Sequence, residues 1–83
     1  MELKETIDMM VSDDYKERFK AEYSQLKTRT EKLESMLEKW KYGALDFEPN
    51  CPSELLKKQL NAMHCYQSCL EERAKIEEIE LGE

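Results

Sequence analysis

Apolar positions recur at helical spacing almost from the first residue of this chain. In "ELKETIDMMV", residues 2–11, Leu3, Ile7 and Met10 fall at i, i+4 and i+7, which predicts a helix with one apolar face. Ser12, Asp13 and Asp14 follow, and each is a good N-cap, so a second helix is expected over about residues 13–42. Its seam is regular: Phe19, Leu26, Leu33 and Trp40 are spaced by seven, with Tyr23, Thr30 and Leu37 four residues after the first three. A period near 3.5 suits lengthwise packing against another helix at a shallow angle. Lys16, Glu17, Lys20, Lys27, Glu31, Glu34 and Glu38 lie opposite, as a solvated face with several i, i+4 pairs.

Gly43 is placed to stop this helix. It follows "EKWKY", where a residue of positive φ is wanted and basic side chains complement the last carbonyls. The connection over residues 43–51 carries Leu45 and Phe47, which are expected to fold back and plug the end of the helix pair. Pro52 then opens a third helix running to about residue 80. Its missing N–H costs nothing there, and Cys51, Asn50 or Ser53 can serve as cap. Two rows lie side by side on this helix, Leu55/Ala62/Cys69/Ile76 and Leu56/Met63/Leu70, and with Gln59 and Tyr66 they form a broad apolar face. The expected fold is all-α: one domain, a short N-terminal helix followed by a long antiparallel helical hairpin. A helix of about 28 residues is near 42 Å long, and two such rods cannot close a round core. A homo-oligomer is therefore expected, a dimer being the simplest case.

Composition narrows the function. Apolar and charged residues make up 40% and 39% of 83 residues, the balance of long helices that each bury one stripe. A net charge of −6 argues against non-specific binding to DNA, RNA or an anionic membrane surface. No apolar run approaches the roughly 20 residues of a membrane span, and no signal peptide precedes "MELKETID", so a soluble intracellular protein is expected. Three cysteines, an odd number, suit a reducing compartment. Cys65 and Cys69 sit i, i+4 beside His64 with no fourth ligand nearby. They read as small, partly buried apolar residues rather than a metal site.

Candidate chemistry is sparse. His64 has no nucleophile and orienting group around it, no serine stands in the context of an activated nucleophile, and no glycine-rich phosphate loop is present, so neither catalysis nor a cofactor is expected. The aromatic residues are more informative. Trp40, Tyr42 and Phe47 gather at the loop end. Tyr15, at the start of the second helix, should meet Arg73 across an antiparallel pair. These aromatics serve either as core and end-caps or as a stacking site for a planar ligand. Tyr15, Lys16, Arg18 and Arg73 are the candidate ligand-binding residues, since an aromatic face beside cations is what a nucleobase and a phosphate require.

Two blocks, "DYKERFKAEYSQLKTRTEKLESML" and "LDFEPNCPSELLKKQLNAMHCYQSCLEERAKIEEIEL", resemble a family of small phage and prophage helical proteins over roughly residues 14–81. "CPSELLKKQLNAMHCYQSCL" is similar, more distantly, to the second half of the helical hairpin in viral anti-CBASS and anti-Thoeris proteins. The matching positions are Cys51, Pro52, Ser53, Glu54, Ala62, Met63 and Tyr66. The departures are Leu55, where that pattern has Arg, and His64-Cys65-Tyr66, where it has Trp after the Met. The resemblance implies a phage-encoded anti-defence protein of the host cytoplasm that sequesters a cyclic nucleotide immune signal without cleaving it. The alternative is a helical module that binds a host or phage protein.

Overall fold

The computed structural model describes residues 2–81. Among them the chain is all-helical: a 3₁₀ turn at Leu3–Thr6 running into α1 (Ile7–Met10), then α2 (Tyr15–Lys41) and α3 (Ser53–Glu77). Tyr23 meets Glu71 while Glu34 meets His64, so position rises along one long helix as it falls along the other and the two run in opposite directions. The result is a rod of 43 × 24 × 20 Å.

The N-terminal segment departs from the regular helix expected over residues 2–11. Its first turn is 3₁₀ and its α-helical part is a single turn. The expected face is not the one that packs, because Ile7 and Met10 are exposed and Thr6 is fully buried. Thr6 explains the change. Its hydroxyl donates back to the Leu3 carbonyl at 2.7 Å and accepts from Gln25 Nε2 of α2 at 2.8 Å. A satisfied polar pair therefore docks the segment where an apolar stripe was anticipated.

Of the three possible caps for α2, Asp14 is used: its carboxylate accepts from the Lys16 N–H at 2.9 Å. At the other end Gly43 has φ +70°, Ala44 N–H bonds the Lys39 carbonyl at 2.8 Å and Gly43 N–H that of Trp40 at 3.1 Å. This is the Schellman arrangement. Pro52 is the cap residue of α3, which starts at Ser53.

Helix α3 ends at Glu77, before the expected residue 80. Glu78 takes the left-handed conformation at φ 57°, and the Ile79 N–H reaches back to the Ala74 carbonyl at 2.8 Å. The chain thereby turns Ile79 into the core beside Phe19, Tyr23, Leu26, Leu70 and Ala74. Burying one more isoleucine offsets the strain of a non-glycine residue in that conformation.

The core lies toward the end of the rod away from the 43–51 loop. Along α3, Leu56, Leu60, Met63, Gln67, Leu70, Ala74 and Glu77, in alternating steps of four and three, are all buried or half-buried. The adjacent row Leu55, Ala62, Cys69 and Ile76 is exposed throughout. The broad apolar face is thus half covered. Phe47 does not plug the loop end, for it is 56% exposed beside Lys32, Ser35, Met36 and Lys39 of α2. The cysteines are exposed rather than partly buried.

Candidate functional site

The start of α2 and the end of α3 lie side by side, and a polar cluster joins them. The Tyr15 hydroxyl donates to Glu77 Oε1 at 2.9 Å and accepts from Arg73 Nη2 at 2.5 Å, while Arg73 Nε donates to Glu77 Oε2 at 3.2 Å. The guanidinium also lies over the Phe19 ring at 4.9 Å, and the Tyr15 and Phe19 rings are tilted at 6.3 Å. Arg73 and Glu77 are i, i+4 on α3, so helical geometry presents both to one phenol.

The cluster shifts its own titrations. The hydrogen bond from Tyr15, then those from Arg73 and its charge, hold the Glu77 carboxyl below the ordinary carboxylate value. Each by its own hydrogen bond to Glu77, the Tyr15 phenol and the Arg73 guanidinium are raised above theirs. At neutral pH the cluster is a carboxylate, a neutral phenol and a guanidinium locked together.

Tyr15 and Arg73 are therefore brought together. Lys16 points the same way and donates to the Glu78 carbonyl at 3.4 Å, capping the end of α3. Arg18 turns away and donates to the Ser12 carbonyl at 2.6 Å, bracing the turn before α2. Glu77 was not singled out from the sequence; the signal available was its i, i+4 spacing from Arg73. Its consequence is electrostatic, since the guanidinium at this end already has a carboxylate partner.

The loop end holds a second group that sequence reasoning did not assemble. Trp40 and Lys41 from the end of α2 and Ser53 and Lys57 from the start of α3 line one depression. Tyr42 is exposed beside it, with Lys41 Nζ 5.5 Å from its ring centre. Neither Lys41 nor Lys57 is held in an ion pair among the described residues. An indole flanked by two ammonium groups outside any ion pair can accept a ring and an anion together. The signal was present in "EKWKY", read as the stop of α2.

Mid-rod, His64 Nε2 lies 3.3 Å from Glu34 Oε2 and serves as a bridge between the long helices. Among the described residues no three His, Cys, Asp or Glu side chains are grouped to hold a metal ion. Among the described residues no helix is long and apolar enough to cross a membrane.

A family model described as Sequestin matches residues 13–76. The chain belongs to the Sequestin family. The Sequestin match takes in the cap of α2, both long helices and their connection, and it leaves out the N-terminal segment and Glu77. Tyr15, Lys16, Arg18 and Arg73 lie inside it, as do Trp40, Lys41 and Lys57. No curated protein and no solved structure matches the chain.

Proposed function

We propose that this protein is a phage-encoded anti-defence binder that holds a cyclic nucleotide immune signal in the host cytoplasm without cleaving it, acting as an assembly of identical copies. Membership of the Sequestin family carries the reading, since that name speaks of holding a molecule rather than transforming it. The mechanism is stoichiometric: tight binding lowers the free signal and the host effector stays inactive.

Tyr15 and Arg73 form the site at the open end. The phenol ring offers a face for a base, and Lys16 and the outer edge of Arg73 offer positive charge to phosphate, while Arg18 braces the turn beside them. Glu77, Asp13 and Asp14 suit ribose hydroxyls. For an anion to enter a chain of charge −6, Arg73 must exchange part of its contact with Glu77 for the ligand. Calorimetric titration with cyclic di- and trinucleotides and cyclic ADP-ribose isomers tests this. Tyr15→Ala and Arg73→Ala should each weaken binding by about 1–3 kcal/mol, whereas Tyr15→Phe, which keeps the ring, should lose less. If Trp40→Ala abolishes binding and Tyr15→Ala leaves it intact, the ligand sits at the loop end instead.

An exposed row on α3 that stayed uncovered after self-assembly would favour the other reading, a helical module that grips a protein. Binding of no nucleotide by a correctly folded chain would leave that reading in front.

A further inference from the structure

The outer row of α3 has a symmetry of its own. Leu55, Ala62, Cys69 and Ile76 are all exposed, Ile76 at 82%, and they run large, small, small, large along the helix. Read from either end the profile is the same. Tyr66 and Arg73, which lie between these positions, lean away from the row onto α2: the Tyr66 hydroxyl donates to Glu22 and Arg73 to Tyr15. Ala62 and Cys69 leave small side chains at the middle of the row, where a second helix can approach, with the half-exposed Tyr66 ring at its edge.

The flank of the strip has a symmetry of opposite charge. Lys58, Cys65 and Glu72 follow one another at intervals of seven on the side away from α2, and all are exposed. Neither Lys58 nor Glu72 is held in an ion pair among the described residues. A like helix laid parallel would set Lys58 against Lys58 and Glu72 against Glu72. Laid antiparallel about a twofold axis near Cys65, it sets Lys58 against Glu72 of the second copy, twice. To within one residue of that register, Leu55 lies beside Ile76 of the second copy and Ala62 beside its Cys69.

We propose that the outer face of α3 is a self-association surface. Its occupant is a second copy of this chain, with α3 packed antiparallel on α3 about a twofold axis at Cys65. Apolar size and flanking charge agree on the register to within one residue, and a copy of the same helix supplies both. The inference gives a surface to the self-association in the proposed function. Because it is tested with no nucleotide present, its failure leaves nucleotide capture standing, and the failure of capture leaves it standing.

The test is sedimentation equilibrium on the full chain and its charge reversals. The unaltered protein should be dimeric at micromolar concentration. Lys58→Glu and Glu72→Lys should each raise the dimer dissociation constant at least about tenfold. The double variant should return toward the original value. A chain retaining only Cys65 (Cys51→Ser, Cys69→Ala) should form a covalent dimer on mild oxidation, since the axis puts the two sulfurs together. A monomeric protein, reversals without effect, a double variant no better than the singles, or an associating Cys65-only chain that does not cross-link would each overturn the proposal.

Discussion

The Tyr15 hydroxyl and the Glu77 carboxylate, 62 residues apart in the chain, meet at 2.9 Å and tie the first turn of α2 to the last of α3. Arg73 closes the cluster on the same phenol. The open end of the rod, which has no connecting loop, is thus held by hydrogen bonds between side chains.

That tie has a pH signature. The carboxyl of Glu77 is held below its ordinary 4.5, so its stabilising contribution is complete above that value and is lost as pH falls through the lower folded one. The phenol of Tyr15 is held above its ordinary 10.0, so its contribution is complete below that value and is lost as pH rises through the higher folded one. Melting temperature should therefore fall off on both sides of this window. Tyr15→Phe should flatten both limbs, and so should Glu77→Gln, because the Glu77 carboxylate is what raises the phenol. Equal slopes in all three proteins would show that the cluster does not contribute.

Core and loop should respond very differently to truncation. Leu70 is 1% exposed at the centre of the core, and Leu70→Ala should cost about 2–5 kcal/mol. Phe47→Ala should cost less than about 1 kcal/mol, because more than half of that ring already faces solvent. Urea denaturation of both variants checks the contrast. A large loss at Phe47 would mean that the ring plugs the helix pair after all.

The two long helices end alike but with different residues. Gly43 takes φ +70° with nothing within 4 Å of where a Cβ would stand, while Glu78 takes φ 57° as a glutamate. Glu78→Gly should therefore stabilise the fold by about 0.5–1 kcal/mol, and Gly43→Ala should destabilise it by a similar amount. Both are read from the denaturation midpoint at unchanged slope. Loss of stability at Glu78→Gly would indicate that its side chain contributes more than its backbone strain costs.

The helices were legible because their apolar residues keep a strict period and because Gly43 and Pro52 stand where stop and start signals belong. The choice between the rows of α3 was not. Both are apolar at heptad spacing, and only packing against α2 decides that Leu56, Met63 and Leu70 turn inward while Leu55, Ala62 and Ile76 stay out. The early end of α3 had no glycine to announce it. Tyr15 and Arg73 could be paired by matching helix ends across an antiparallel arrangement. Glu77 could not be picked out, since it is one of many carboxylates and acts here through a partner far away in sequence. Thr6 misled for a related reason: a polar residue on an apparent helix buries itself by way of Gln25.

Capture without cleavage is tested most directly by what the protein releases. The full chain is incubated with a mixture of cyclic nucleotides and cyclic ADP-ribose isomers, separated from free ligand and heated, and the released small molecules are weighed by mass spectrometry. The account predicts that one cyclic species is retained and comes off with its mass unchanged. Release of no nucleotide from correctly folded protein, or recovery of a linear or hydrolysed product, would contradict it.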